Sequence, residues 1–206
     1  MPVIVVANPK GGVGKSTLSS NIAGYWASQG HRVMLGDIDR QQSSRLWLQL
    51  RSPQLPPVQT WQIDEDKLAK PPKGTTHVVL DTPAGLHGKR MDVAMKLADL
   101  VLVPVQASVF DIYATRDFLT ELAERKRSDK VQLAVVGNRI KDHTKATEHL
   151  QEYLATLGIP VLSLLRDTQN YAHLAAHGLS LWDVPGAKVE KDLAQWAPIT
   201  AWLDQA

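Results

Sequence analysis

Residues able to bind phosphate lie close together near the start of the chain, in the segment Asn8–Thr17, NPKGGVGKST. Its glycines allow the backbone to curl so that successive N–H groups point inward at phosphate oxygens. The side chain of Lys15 would contact the β- and γ-phosphates of a nucleotide, and the hydroxyl of Ser16 would coordinate Mg²⁺. An apolar run, Val3–Ala7, precedes this segment, and a helical pattern follows it. Strand, loop and helix together predict a nucleotide-binding loop.

A carboxylate suited to the same chemistry ends a second apolar run, Val78–Leu80, at Asp81. An aspartate at the carboxyl end of a buried strand can hold Mg²⁺ through water. Gly85 follows shortly after and permits a loop that rearranges around a terminal phosphate. An aspartate in such a place caps a turn in many proteins, but the nearby phosphate-binding loop favours the metal site. We therefore predict that Asp81 is a metal ligand.

Short β-branched runs alternate with longer segments of helical period along the chain. Continuous apolar runs of this kind are typical of parallel strands that are covered on both faces. The pattern predicts an α/β fold, a doubly wound and mostly parallel sheet flanked by helices on both faces. The predicted strands are Val3–Ala7, Arg32–Leu35, His77–Leu80, Leu100–Val103 and Gln132–Val136, and the predicted helices are Lys15–Ser28, Gln42–Leu50, Ile112–Lys126, Thr144–Leu157 and Val189–Leu203.

The organisation of the chain indicates one domain over residues 1–206. Two stretches rich in proline or glycine, Ser52–Pro57 and Lys70–Gly74, flank a short segment and are typical of surface connections. No repeat of 20 to 50 residues and no low-complexity tract interrupts the pattern. A single P-loop domain is therefore the expectation.

Composition excludes several classes of protein. The chain has no cysteine, which excludes disulfides, iron–sulfur clusters, zinc ribbons and cysteine nucleophiles. The net charge is +2, so any affinity for nucleic acid must come from a local basic patch. No apolar run is long enough for a membrane span, and the first residues lack the features of an export signal. We therefore expect a cytoplasmic protein.

The phosphate-binding segment departs from the usual G-x-x-x-x-G-K-[ST] pattern, because Pro9 stands where the first glycine is expected and Lys10 follows it. The variant K-G-G-x-G-K-[ST] resembles the loop of the deviant Walker A ATPases, the family of ParA-type partition ATPases, MinD and the nitrogenase iron protein. The resemblance implies a P-loop NTPase with ATP and Mg²⁺ as cofactors. It also implies that Lys10 reaches across an ATP-sandwich homodimer to the partner's phosphates. The loop residues implied to bind the cofactor are Lys10, Gly11, Gly12, Val13, Gly14, Lys15, Ser16 and Thr17.

A second motif of the family follows at Gly36–Gln41, GDIDRQ, which is similar to the switch I pattern D-x-D-P-Q. The match implies that Asp39 orients the attacking water and that Asp37 lies beside the P-loop and Mg²⁺. Arg40 replaces the usual proline, so the rigidity of this loop differs from the family pattern. The resemblance thus implies a catalytic set of Lys10, Lys15 and Asp39, and a metal set of Ser16, Asp37 and Asp81.

Two more segments match the family in the expected order. Pro104–Asp111, PVQASVFD, resembles the P-x-x-P-x-x-x-D loop, with Ala107 where the second proline is frequent. Asn138 and Arg139, just past a predicted strand, match the position at which family members recognise adenine. Asparagine offers both a donor and an acceptor, which suits the edge of adenine. Both residues are therefore expected in the nucleotide site.

Other patterns carry less information. His173 and His177 have the spacing of zinc proteases, but Leu174 stands where the glutamate is needed, which favours packing or surface histidines. The amphipathic segment Val189–Leu203 is similar to the membrane helix of MinD-like proteins but lacks a basic face, so we expect it to pack on the protein's own sheet. The six tryptophans are scattered along the chain and are predicted to be core residues.

The resemblance implies an ATPase of the small ParA type that positions a plasmid, a chromosome or a protein cluster. Met1 lies two residues from the first strand, so we expect no N-terminal helix-turn-helix. The protein is therefore expected to associate with the nucleoid through non-specific phosphate contacts, and a ParB-like or other adaptor protein would stimulate slow hydrolysis. Candidate DNA contacts are Lys141, Lys145, Arg166, Lys188, Lys191 and Arg125–Arg127.

Two alternatives stay open at this point. A MinD-like regulator at the membrane or envelope would use its nucleotide state to control protein contacts, but the weak basicity of the C-terminal segment disfavours the membrane form. A small-molecule synthetase or kinase could use the same loop, because a fold alone does not determine function. A carrier similar to the nitrogenase iron protein is excluded, since cluster ligation needs cysteine.

Overall fold

The structure, a computed structural model, describes residues 1–38, 42–61, 71–125 and 131–206. Its strands are β1 (Val3–Val6), β2 (Val33–Asp37), β3 (Val58–Trp61), β4 (His77–Asp81), β5 (Leu100–Gln106), β6 (Gln132–Ile140) and β7 (Val161–Arg166). They form one sheet in the order β3-β2-β4-β1-β5-β6-β7, and each neighbouring pair is parallel. The predicted parallel sheet is therefore confirmed.

Helices cover both faces of this sheet, because alternate residues of each buried strand point to opposite sides. Val3 and Val5 of β1 belong to one apolar core, and Ile4 and Val6 belong to the other. One core includes residues of α1, α2, α6 and α7, and the other includes residues of α3, α4 and α5. The helices are α1 (Lys15–Ser28), α2 (Ser43–Leu50), α3 (Gly88–Leu97), α4 (Val109–Arg125), α5 (Lys145–Ala155), α6 (Gln169–Ala175) and α7 (Glu190–Leu203).

The strand order brings the predicted functional residues to one edge of the sheet. β1 lies between β4 and β5, so its carboxyl end is the point at which the strand order reverses. Ligands of open α/β sheets bind at such a point. In the register of the sheet, Asp81 is the partner of Val6 in β1 and of Asp37 in β2. The phosphate-binding loop and the two carboxylates of the predicted metal set therefore lie at the ends of neighbouring strands.

The structure corrects the expected loop over Pro104–Asp111. Residues Pro104 to Gln106 are the end of β5, and α4 begins at Val109. A proline lacks the N–H that a central strand needs, but the pairing of β5 with β1 ends at Leu102, so Pro104 has a strand partner only in β6. The missing N–H therefore breaks no ladder bond with β1.

Four elements have no counterpart among the sequence predictions: β3, β7, α3 and α6. β3 is a half-exposed edge strand and β7 is only partly buried, so neither forms a fully apolar run. Helix α7 packs on the sheet as predicted, with Trp196 and Ile199 fully buried. Within the described ranges, no helix combines the length and the apolar character that crossing a membrane requires.

Candidate nucleotide-binding site

The loop between β1 and α1 has the curled backbone that its glycines predict. Gly12 and Gly14 have φ angles of 77° and 97°, in the region that favours glycine. A Cβ at Gly14 would lie 2.1 Å from Nδ2 of Asn138, so only glycine allows this close approach. Lys15 is 7% exposed, and its ammonium donates to the carbonyl oxygen of Lys10 at 2.7 Å. The loop therefore folds around the lysine that was predicted to bind phosphate.

Asn8, at the start of the loop, ties the loop to the centre of the sheet. Its Oδ1 accepts a hydrogen bond from the N–H of Lys10 at 2.8 Å. Its Nδ2 donates to the carbonyl oxygen of Pro104 at 2.7 Å and to Oγ1 of Thr115 at 3.0 Å. No sequence motif marks Asn8 for this role, although a polar residue directly after a buried strand is a usable signal.

Asn138 supports the same loop from β6, at the position where the sequence predicted an adenine contact. Its buried Nδ2 donates to the carbonyl oxygen of Val13 at 2.7 Å, and Nε2 of Gln106 donates to that of Gly12 at 2.9 Å. One of the two N–H groups of the Asn138 amide is therefore engaged with the loop, and the expected contact with adenine stays a prediction. The neighbouring Arg139 has a φ of 54° and lines the cavity over the loop.

An open cavity of about 740 Å³ lies over this loop at the carboxyl end of the sheet. Its lining includes the cationic side chains of Lys15, Arg90 and Arg139, and none of the described lining residues is a carboxylate. Positive charge next to a glycine-rich loop suits a polyphosphate. No motif predicts His87 or Arg90 here. The lining consists of Gly11, Gly12, Gly14, Lys15, Ser16, Thr17, Ser43, Pro83, Ala84, Gly85, His87, Arg90 and Arg139.

The two carboxylates of the predicted metal set, Asp37 and Asp81, lie side by side on β2 and β4. Asp81 is fully buried, and its Oδ2 accepts a hydrogen bond from Oγ of Ser44 at 2.6 Å. Its Oδ1 is also buried but has no hydrogen-bond partner. Oδ2 of Asp37 accepts from the N–H groups of Ser44 and Arg45 at 2.9 and 3.1 Å. Asp37 therefore accepts hydrogen bonds from the start of α2.

The environment of Asp81 fits a bound cation. Burial raises the pKa of Asp81 to about 6, the negative charge of Asp37 adds to this, and the hydroxyls of Ser16 and Ser44 and the ammonium of Lys15 oppose it. A buried carboxylate oxygen without a partner is costly unless a ligand satisfies it. The donors present are hydroxyl and carboxylate oxygens, which Mg²⁺ prefers. Ser16, Asp37 and Asp81 therefore suit the predicted metal.

Some predicted residues lie outside the described ranges. Asp39, Arg40 and Gln41 are among them, so the catalytic role expected of Asp39 stays a prediction. The same holds for Lys126 and Arg127 and for the side chain of Arg125, which were candidate DNA contacts.

Comparison with known proteins assigns this loop and sheet to a family. The family described as the CobQ/CobB/MinD/ParA nucleotide binding domain, CbiA, matches residues 4–181. The chain belongs to this family. The match spans the loop, both carboxylates and all of the sheet except the first residue of β1, so the ParA/MinD resemblance inferred from the motifs is confirmed.

Two curated relatives of this chain are named for carboxysome distribution and for chromosome partitioning. The maintenance of carboxysome distribution protein A of Halothiobacillus neapolitanus is 30% identical over 190 residues, with 88% of this chain and 87% of that protein covered. The chromosome-partitioning ATPase Soj of Thermus thermophilus is 28% identical over 166 residues, with 65% and 66% covered. A Borrelia burgdorferi protein assigned to plasmid partition and solved with AMPPNP is 17% identical, with a TM-score of 0.76 over 100% of this chain and 99% of that one. The last likeness supports the P-loop fold.

Among the candidate DNA contacts, Arg166 has a structural partner. Its Nε and Nη2 donate to the carboxylate of Asp192 at 2.6 and 3.2 Å, and Asp192 is fully buried. This guanidinium neutralises a buried charge, and the role of Arg166 as a DNA contact stays a prediction. Lys145, Lys188 and Lys191 are exposed, and Lys141 is exposed with its ammonium 3.7 Å from Oδ2 of Asp167.

Proposed function

We propose that this protein is an ATPase of the ParA type, which closes a homodimer when it binds ATP, opens it after hydrolysis and so positions a cargo. The observation that carries the proposal is the difference between the two lysines of the loop. Lys15 is buried and lines the cavity, whereas Lys10 is only partly buried and is not among the described residues that line it. A lysine of the loop that lies outside its own cavity is available to the phosphates of a second copy. The likeness to a maintenance of carboxysome distribution protein along 88% of this chain supports the same function.

In the proposed reaction, ATP is hydrolysed to ADP and phosphate, and the chain acts by positioning and by neutralising charge. The N–H groups of the curled loop and the ammonium of Lys15 would hold the β- and γ-phosphates. Ser16, Asp37 and Asp81 would hold Mg²⁺, which supplies positive charge to the phosphate oxygens when it is bound. Asp39 is proposed, from the family resemblance, to orient the attacking water.

We propose further that the ATP-bound dimer binds DNA non-specifically in the cytoplasm, on the nucleoid, and that a ParB-like or other adaptor stimulates hydrolysis. The support for a DNA-binding face is a group of exposed lysines near the ends of β6 and β7. Because the strands are parallel, these ends lie on the same edge of the sheet as the phosphate-binding loop. Asp192 of α7 bonds Arg166 at the end of β7, so the start of α7 lies there too. The lysines are Lys141, Lys145, Lys188 and Lys191.

The dimer is tested by Lys10→Ala in analytical ultracentrifugation with Mg²⁺ and a slowly hydrolysed ATP analogue. We expect the unaltered protein to sediment as a dimer, and Lys10→Ala to sediment as a monomer that still binds nucleotide through Lys15. Lys73→Ala is the matched control, because Lys73 is exposed just before β4, at the opposite edge of the sheet. A nucleotide-saturated but monomeric unaltered protein would refute the dimer, and full dimerisation of Lys10→Ala would refute the role of that lysine.

DNA binding is tested with random-sequence duplex DNA at fixed moderate salt, with no nucleotide, with ADP or with ATP and Mg²⁺. We expect binding only with ATP, and affinity should fall steeply as salt is added. A double variant, Lys188→Ala with Lys191→Ala, should weaken binding, whereas Lys96→Ala, an exposed lysine at the end of α3, should not. Intact ATP turnover without DNA binding in any state would instead favour the regulator of protein contacts.

A further inference from the structure

Ser44 connects the two carboxylates of the nucleotide site to one helix. Its side-chain hydroxyl donates to Oδ2 of Asp81 at 2.6 Å, and its backbone N–H donates to Oδ2 of Asp37 at 2.9 Å. Ser44 is 1% exposed and Asp81 is fully buried, so the bond between these two residues does not compete with bulk water. The connection joins residues from β2, β4 and α2, and no sequence motif used above includes Ser44.

The bond to Asp81 is separate from the capping of α2. The residue that precedes α2, Gln42, has a φ of 50° and makes no side-chain cap. Oδ2 of Asp37 caps the helix instead, by accepting from the backbone N–H groups of Ser44 and Arg45. Because capping uses the N–H of Ser44, the helix does not require the hydroxyl. The hydroxyl therefore serves Asp81 alone.

The other end of α2 is also held firmly. Arg51, directly after the helix, pairs with Asp183 at 2.7 Å, and the two side chains are 5% and 1% exposed. Nε1 of Trp47 donates to the carbonyl oxygen of Leu179 at 3.1 Å. With its far end anchored, α2 has little freedom to follow a displaced carboxylate. A displacement of the Asp81 carboxylate would therefore lengthen or break its hydrogen bond with the hydroxyl of Ser44.

We propose that Ser44 is a positioning residue, which holds Oδ2 of Asp81 so that the unpartnered Oδ1 is presented to Mg²⁺, and which links the metal site to α2. The inference rests on the proposed nucleotide and metal site, but it requires neither hydrolysis nor dimerisation. A carboxylate that has one oxygen fixed by a hydroxyl can rotate less than a free carboxylate. The side chain of Asp81 therefore loses less conformational freedom when the metal binds.

The experiment measures Mg²⁺ binding with ADP, without turnover. ADP affinity is determined by calorimetry in EDTA, and the Mg²⁺ concentration for half-saturation of the ADP complex is then titrated. For Ser44→Ala we expect unchanged affinity for Mg²⁺-free ADP and an increase of about 10-fold in the half-saturating Mg²⁺, the usual effect of losing a partner of a metal ligand. The matched control is Ser19→Ala, because Ser19 of α1 is fully buried and its hydroxyl has no hydrogen-bond partner. It should leave both values within about twofold of the unaltered protein.

Two further measurements separate positioning from a merely structural role. In an Asp81→Asn background, Ser44→Ala should raise the half-saturating Mg²⁺ concentration by less than about twofold, because the two residues act as one unit. Hydrogen exchange of residues 43–50 should slow when Mg²⁺ and ADP bind, and this slowing should be lost in Ser44→Ala but kept in Ser19→Ala.

The proposal is overturned if Ser44→Ala has the half-saturating Mg²⁺ of the unaltered protein, even where its thermal stability falls, or if its effect persists undiminished in Asp81→Asn. If the unaltered protein binds Mg²⁺ and ADP but neither hydrolyses ATP nor dimerises, the proposed function is refuted. The role of Ser44 is still tested in that case, because its test needs only the binding of Mg²⁺ and ADP. Absence of ADP binding in the unaltered protein would overturn both proposals.

Discussion

Two aspartates of this protein are buried to the same degree but are satisfied very differently. Asp81 and Asp192 both have no exposed surface. Oδ1 of Asp192 accepts from Nε of Arg166 at 2.6 Å, and its Oδ2 accepts from Nδ2 of Asn170 at 2.6 Å. Asp81 accepts from the hydroxyl of Ser44 through one oxygen, and its other oxygen has no partner.

The difference separates a carboxylate that maintains the fold from one that is kept for a ligand. Burial of a charge is tolerated when a counter-ion and hydrogen bonds satisfy it, as the partners of Asp192 do. An open, buried oxygen costs stability, and natural proteins retain such costs mainly where function requires them. The position of Asp81 beside a phosphate-binding loop agrees with that rule.

Asp81→Asn should have the largest effect, on activity. The amide keeps the shape of the carboxylate but removes the charge, so we expect ATP turnover at saturating Mg²⁺ to fall about 100- to 1,000-fold. The free energy of unfolding without nucleotide should change by less than about 1 kcal/mol, because the lost charge was only partly satisfied. Steady-state phosphate release and urea denaturation measure the two quantities. An ATP turnover rate within tenfold of that of the unaltered protein would contradict the conclusion that Asp81 is kept for a ligand.

Asp192→Ala should have the converse effect, on stability. Removal of the carboxylate leaves Arg166 and Asn170 without their partner, and loss of one member of a fully buried pair costs about 3–5 kcal/mol. The side chain of Arg166 is 35% exposed and can gain water, so we expect a smaller loss of about 2 kcal/mol in urea denaturation. ADP affinity should stay unchanged. A loss of nucleotide binding in the folded variant would contradict the division between the two aspartates.

His77 extends the comparison to a partly buried base. It lies against the rings of Trp26 and His31, with ring centroids 4.7 and 3.9 Å away, and burial, with a smaller contribution from His31, lowers its pKa from 6.5 to about 4. Between these pH values the unfolded chain binds a proton that the folded protein does not, so stability is lost as pH falls from 6.5 to about 4.

The imidazole is partly open to water, so we expect a loss of about 1 kcal/mol across this range, less than the full pKa shift would give. His77→Phe keeps a ring in place but cannot titrate. Its stability, measured by urea denaturation at a series of pH values, should fall less steeply on the acid side. If the stability of both proteins falls equally between pH 6.5 and about pH 4, His77 is excluded as the cause of the acid destabilisation.

Lys141→Ala should have the smallest effect on stability. The Lys141 ammonium is 3.7 Å from Asp167, but the side chains are 71% and 41% exposed, in contrast to the buried Asp192. Exposed pairs contribute little, so urea denaturation should change by less than about 0.5 kcal/mol. If Lys141 contacts a DNA phosphate as proposed, Lys141→Ala should reduce the slope of log affinity against log salt concentration by about 1. A loss above about 1 kcal/mol would show that this surface pair is structural.

The predictability of the site depended on how local each feature is. The loop around Lys15 was predicted because glycine conformations, the preceding strand and the following helix lie within one short segment. The buried strand end at Asp81 was predicted for the same reason. The partner of Arg166 was not predicted, because its sequence context shows a basic residue after a strand and not the carboxylate 26 residues later that binds it.

The sequence by itself determined the alternation of strands and helices, the phosphate-binding loop and the family of this protein, because these depend on the periodicity and conformation of adjacent residues. Only the tertiary structure decided that Asn138 supports the loop, that Arg166 neutralises Asp192 and that Ser44 joins Asp37 to Asp81. Each of those contacts depends on which strands and helices become neighbours in the sheet. The partner that satisfies a buried polar group is set by this arrangement, and the side chain's own neighbours along the chain do not reveal it.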